Sequence, residues 1–480
     1  MSVVAALLIT TGASACAASR PLGATPTTSL AGASTDSKPG SPAATAAPST
    51  PTSGSTSSIT DVPTATSATT TQVARPTPTS SLVPPTDAQW ARFDEYLHDR
   101  LLGRGDFAFG VAVSIDGSVV HAASYGDRNS PNMVLPPPEP PESSGVSTVT
   151  TTTTTTSTTV PVALEPVDAS DRFRIASISK LITGTVSLQL VADGTLTLDD
   201  PVGELLGDYV GVDVTGRPSA AITVRQLLSH TSGFSEFYDT FFSRRVESCR
   251  DAAARGLDAG VQFEPGTTYN YSQMNFCLLS TLIDAVSGQP YETVVRQRLL
   301  EPLGIEGMRL AGTFDPDPDE VVHPSFPNRN YMEVLDGAGS WVATPTDVVN
   351  IVDSLDNRNP GFHPLPNDLA ELMRKPVAGI TYNSPTERWY GLAMMAYANQ
   401  SWGHTGTIEN THSMVVHRPD GMTWAILVSG NYPDESDDLE AIFQDAIEYA
   451  AIDAPAPTTS TTTTTSTTTT TTIAPTSTMD

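Results

Sequence analysis

The sequence predicts an α/β protein of the α+β type: an antiparallel sheet formed by N- and C-terminal segments, flanked by helices, with a mainly helical lobe inserted between them. Three observations predict it. Two apolar strand patterns flank an Asp116-Gly117 turn near the start of the globular region. Helical spacings and loops then fill the span from about Leu196 to Gly339. Strand patterns return near the end.

In chain order, residues 90–102 place Trp90, Phe93, Tyr96, Leu97 and Leu101 at helical spacing, which makes an amphipathic opening helix. The hairpin follows at 109–114 and 118–123. Residues 176–192 are apolar on most faces (Ile178, Leu181, Ile182, Val186, Leu188, Leu190, Val191) and end at Asp193-Gly194, a C-cap signal. A helix apolar all round is buried, so it carries Lys180 into the interior. The lobe has helices at 223–228, 276–287 and 291–300. Strands follow at 391–397, 401–407, 413–417 and 423–429, with Asp420-Gly421 turning between the last two, and a helix at 439–450 closes the unit.

Composition divides the chain further. Residues 17–84, an insert at about 131–164 and the tail at 454–480 are rich in Ser, Thr and Pro, with too few large apolar residues to pack a core, and read as disordered. A globular unit at 85–453 remains. Residues 1–16 resemble an export signal, an apolar run ending in Ala13-Ser14-Ala15 without a basic start. Cys16 sits where a lipoprotein signal places its lipidated residue, so a lipid anchor and plain cleavage are both open, and a secreted or cell-envelope location is expected. Cys249 and Cys277 are left as an even pair, either a disulfide or two buried thiols. The net charge of −28 comes from dispersed Asp and Glu, which argues against nucleic-acid or anionic-membrane partners. The histidines are scattered, with no His-x-x-x-His or Cys-x-x-Cys pair for a metal and no Gly-x-Ser-x-Gly elbow, so neither a metal nor another cofactor is expected.

The chemistry concentrates in three segments. Ser177-Ile178-Ser179-Lys180 puts a hydroxyl and an amine three residues apart at a helix start, where positions i and i+3 share a face. Serine needs a base to become nucleophilic, and a buried lysine with a lowered pKa can supply it. Tyr271-Ser272-Gln273 lies 94 residues after Ser177 (271 − 177), and His404-Thr405-Gly406 lies 133 further on (404 − 271). Glycine in the last segment is expected to let a substrate backbone lie against a strand edge.

These three segments in this order resemble the motifs of the serine β-lactamase and penicillin-recognising enzyme superfamily, above all its class C β-lactamase-like group of D-alanyl-D-alanine carboxypeptidases, D-amino acid peptidases and esterases. Two more stretches match that group: Ile222 to Gly233, containing Ser229-His230-Thr231-Ser232-Gly233, and Gly337-Ala338-Gly339-Ser340 leading to Thr344-Pro345-Thr346-Asp347. The resemblance implies a β-lactamase/transpeptidase-like fold. It implies Ser177 as acylated nucleophile, Lys180 as its base, Tyr271 as proton shuttle, and His404 where other members have lysine. It places the oxyanion hole at the backbone N–H groups of Ser177 and Thr407, with Thr405, Gly406 and Thr407 at the substrate and Arg388 as a possible aid. Gln273 departs from the family's usual Asn, its amide one methylene further out. His230 reads as part of a structural turn.

The expected function is therefore a serine hydrolase forming an acyl-enzyme on small amides, esters or D-amino acid peptides, peptidoglycan-derived ones among them, and working as a monomer. The alternative is a cell-wall binding module that keeps the fold and hydrolyses poorly, an idea that Gln273 keeps open.

Overall fold

The computed structural model describes residues 84–129, 164–382 and 387–452. The signal at 1–16, the linker at 17–84, the insert at 131–164 and the tail at 454–480 lie outside the described residues, apart from Pro84 and Leu164.

Thr86 opens α1 (Asp87–Arg100) with a capping box: its hydroxyl accepts from the Gln89 N–H, while the Gln89 side chain returns to the Thr86 N–H. β1 (Ala108–Ile115) and β2 (Ser118–Gly126) turn at Asp116 and Gly117, both in the left-handed region (φ 50° and 76°). After β3 (Phe173–Arg174), a 3₁₀ turn at Ala176–Ile178 runs into α2 (Ser179–Ala192). Every residue of α2 from Ser179 to Leu190 is buried, Lys180 included, so this helix is the axis of the molecule.

The lobe comprises α3 (Gly203–Val210), α4 (Val224–Leu228), α5 (Tyr238–Phe242), α6 (Cys249–Ala259), α7 (Gln273–Ser287) and α8 (Tyr291–Val295). A disulfide joins Cys249 to Cys277, with Cα atoms 5.6 Å apart, and pins α6 to α7. Replacing both cysteines with alanine is expected to lower stability by about 2–4 kcal/mol, because the reduced unfolded chain regains loop entropy. A lower midpoint in urea checks this.

The rest of the chain is β4 (Arg309–Leu310), α9 (Tyr331–Leu335), β5 (Trp341–Ala343), α10 (Pro345–Ser354), α11 (Asn367–Met373), β6 (Arg388–Tyr390), β7 (Met395–Tyr397), β8 (Trp402–Ile408), β9 (Thr411–His417), β10 (Met422–Ser429) and α12 (Asp438–Tyr449). The main sheet has the order β2-β1-β10-β9-β8-β7-β6, antiparallel throughout. Pairing of β1 with β10 is what joins the two ends of the unit, as expected. One face packs on α1 and α12, with Trp424 stacked on Phe443 at 4.2 Å. The other packs on α2, α10 and the lobe. At the far end of the α1–α12 pair, Gln89 Nε2 donates to the Ala451 carbonyl at 2.6 Å.

Two local expectations need correction. The strand expected over 391–397 is interrupted: Ala393 is left-handed (φ 62°) and its N–H donates to Leu228 O at 2.8 Å, docking the segment onto the lobe and leaving β6 and β7 as short separate strands. The helix expected over 291–300 continues from Arg296 to Leu300 as a π turn. A second sheet, β3-β5-β4, has no counterpart in the sequence reading, since strands of two or three residues carry no detectable period.

Candidate active site

Ser177 lies in the 3₁₀ turn before α2 and is 8% exposed. Ala176 before it holds φ 46°, a left-handed strain costing about 1–3 kcal/mol that turns the chain sharply from β3 into the helix. One turn on, Lys180 Nζ is 3.0 Å from Ser177 Oγ, 2.7 Å from Gln273 Oε1 and 2.6 Å from the Ala338 carbonyl. Two of these neighbours only accept. A neutral amine has two N–H groups and one lone pair, so with Gln273 and Ala338 taking the hydrogens, the lone pair faces the Ser177 hydroxyl. Burial holds the Lys180 pKa well below the ordinary lysine value. The N-terminus of α7, where Gln273 sits, adds its partial positive charge in the same direction. The longer glutamine therefore reaches the amine directly.

Tyr271 is fully buried, and burial raises its pKa, with its hydrogen bond to the Ser177 side chain opposing the shift. It is a neutral phenol beside the hydroxyl, its ring centroid 5.1 Å from Lys180 Nζ. Ser272, just after it, caps α7 by accepting from the Met274 N–H and donates to Ser235 O at 2.6 Å, fixing the Tyr271–Gln273 segment between loop and helix.

His404 on β8 is also buried. Its Nδ1 is 2.6 Å from the Thr405 carbonyl, which can only accept, so the proton sits on Nδ1 and Nε2 accepts from the Tyr390 hydroxyl at 3.0 Å. Burial lowers its pKa to about 3, so His404 is a neutral imidazole. Among the described contacts it reaches the Tyr271 ring through Tyr390, whose ring lies 6.0 Å from that of Tyr271.

Gly406 has a packing role that its sequence context does not reveal. A Cβ there would come within 2.6 Å of the Ile175 carbonyl and 2.9 Å of Ala176 Cβ. The missing side chain lets β8 press against the turn carrying Ser177. Ser413 on β9 fastens the contact by donating to Ile175 O at 2.9 Å. Thr407 follows Gly406 on the same strand, one residue beyond the contact with the turn that carries Ser177. β7 pairs β8 only at Trp402 and Gly403, so among the described residues the half of β8 from His404 onward has no strand on that side. Thr405 Oγ1 lies 3.8 Å from Met395 Sδ, and Thr407 Oγ1 lies 2.6 Å from Ser436 Oγ. Arg388 is paired with Asp437 at 2.7 Å.

Two residues were undervalued or missed. Nδ1 of His230 accepts from the Ser272 N–H at 3.2 Å and from Asn275 Nδ2 at 2.9 Å, so its proton is on Nε2. Its ring packs 4.3 Å from Tyr271 and 4.7 Å from Tyr390, making the Ser-His-Thr-Ser-Gly turn the backing of the site. Tyr390, which orients His404, sits on a three-residue strand, and nothing in its local sequence marks it.

This fold, with a serine, lysine, tyrosine and histidine converging from α2, the α7 entry and β8, is that of the serine β-lactamase and penicillin-binding-protein superfamily. The family model described as "Beta-lactamase" matches residues 108–448, and the chain belongs to that family. It is 27% identical to "Penicillin-binding protein 4" of Amycolatopsis lactamdurans over 288 residues, covering 54% of this chain and 72% of that protein. It is 26% identical to "Esterase EstB" of Burkholderia gladioli over 339 residues, covering 59% and 83%. The fold also matches the D-amino acid amidase of Ochrobactrum anthropi SV3, solved with L-phenylalanine, at a TM-score of 0.57 and 21% identity over 76% of this chain and 99% of that one.

Proposed function

We propose that the protein is an exported serine hydrolase that cleaves small amides, esters or D-amino acid peptides, peptidoglycan-derived ones included, through an acyl-enzyme on Ser177. The observation that carries this reading is the buried Lys180 amine, whose two hydrogens are taken by Gln273 and Ala338 and whose lone pair faces the Ser177 hydroxyl. Lys180 takes the Ser177 proton as the oxygen attacks the carbonyl. The tetrahedral oxyanion rests on the N–H groups of Ser177 and Thr407. Tyr271, kept neutral by burial, gives its proton to the leaving group and takes back the one held by Lys180, and water then attacks the acyl-enzyme with the restored Lys180 amine as base. Family membership and the relatives named penicillin-binding protein, esterase and D-amino acid amidase support the reaction class. A monomer in a secreted or cell-envelope location, with Cys16 as lipid attachment point, completes the reading.

The Gln273 contact with Lys180 favours turnover over the binding-module alternative, because the amide supports the base from the altered position. Ser177→Ala is expected to abolish both p-nitrophenyl ester hydrolysis and labelling by a fluorophosphonate. Equal reaction of variant and wild type would sink the mechanism.

A further inference from the structure

We propose that Asp437 sets the leaving-group preference of this site, turning it away from carboxylate-bearing groups and toward uncharged or cationic ones. The proposal rests on the acyl-enzyme reading above.

A substrate lying along the free half of β8 meets few groups able to hold a carboxylate. Lys180 is fully engaged, and both nitrogens of His404 are occupied. Arg388 is the nearby cation: it stands two residues before Tyr390 on β6, and its charge is felt at both His404 and Tyr269. Its Nη1, however, is 2.7 Å from Asp437 Oδ2. Asp437 directly follows Ser436, whose Oγ is 2.6 Å from Thr407 Oγ1, so this acid lies next to the site's own strand.

The threonines are turned away as well. Ser436 Oγ donates its one hydrogen to the Gly406 carbonyl at 2.8 Å, so Thr407 is the donor in the Thr407–Ser436 bond and its proton points at Ser436. His412 Nδ1, 3.0 Å from the same oxygen, supplies the second bond that Ser436 can accept. Thr405 faces the Met395 sulfur. An internal carboxylate thus holds the guanidinium that a substrate carboxylate needs, and Asp434, Glu435, Asp438 and Glu440 in the same segment add like charge. Selection comes from repelling one substrate class, since like charges brought together raise the energy of the wrong complex.

The test compares phenylacetyl esters of 3-hydroxybenzoate and 3-hydroxybenzamide, which match in size and differ in the charge of the leaving group. Wild type is expected to favour the carboxamide ester by roughly tenfold or more in kcat/KM. Asp437→Asn, at a half-exposed side chain, is expected to shrink that ratio at least about tenfold, and adding Arg388→Ala to undo the gain. A wild-type preference for the carboxylate ester, or a ratio that Asp437→Asn leaves unmoved, overturns the proposal. Fluorophosphonate labelling of Ser177 in the same preparations reads the acyl-enzyme step independently: no labelling removes the hydrolase reading, and with it this proposal, whereas labelling with an unmoved ratio removes this proposal alone.

Discussion

Lys180→Arg lowers kcat/KM for ester substrates by about 10²–10⁴-fold, the range expected when a positioned general base is lost. Arginine keeps a positive charge and hydrogen-bond donors but does not deprotonate in a protein, so it cannot accept the Ser177 proton. If the charge alone were at work, this variant would retain activity, and retained activity rejects the role of base. Lys180→Met separates catalysis from folding. The buried amine has a pKa well below its unfolded value, so between those two values the unfolded chain binds a proton that the folded protein does not. Stability therefore rises with pH across that window: the burial penalty is absent above the unfolded-state value and grows as pH falls toward the folded-state value. Methionine removes the titrating group, so the variant is expected to be inactive, to lose this pH-dependent rise, and to be no less stable than wild type at neutral pH. Thermal melts from pH 6 to 10 check the sign. In wild type, activity falls on the acid side as Lys180 takes up its proton, and the neutral His404 adds no limb near pH 6.

Gly406→Ala lowers kcat/KM by about 10²-fold, because a misplacement of about 1 Å is enough to cost that much. The added methyl meets Ser413 Oγ, which can rotate aside, and also the Ile175 carbonyl and Ala176 Cβ, which both belong to the strained turn that aims Ser177. Neither of these two is the free end of a flexible side chain, so β8 and the turn must separate, and the Thr407 N–H, proposed above as an oxyanion donor, is displaced with β8. Overpacking of this kind costs about 1–3 kcal/mol, so the protein remains folded. A nearly normal melting curve beside a large fall in kcat is the expected result. Full activity in Gly406→Ala would mean that β8 does not supply the oxyanion donor.

Those two residues also mark what the sequence made legible. Lys180 was readable because a helix apolar on all faces has one place to go, and an amine on it goes too. The hairpin, the strand return and the β1–β10 closure followed from alternation and turn residues. Gly406 was visible as a glycine, but its reason was not, since the atoms that crowd it belong to residues 175 and 176 and only folding brings them there. Contacts made only on folding also hid Tyr390, which meets His404 across short irregular strands, and the packing of His230 against the face of Tyr271. Local pattern reports burial and period. It carries no record of which buried ring lies against which.

The pairing of α1 with α12 has a topological consequence. With Gln89 bonded to the Ala451 carbonyl, the first and last helices of the described unit end side by side, and at the other opening the Glu165 N–H donates to Asn129 Oδ1 at 2.9 Å. The two ends of the described unit are thus held together at one contact, and the residues on either side of 130–163 at another. Bridging the helix ends and cutting between Asn129 and Glu165 would give a circular permutant with every strand pair intact. The covalent order of the chain is thus one of several linear readings of the same set of contacts.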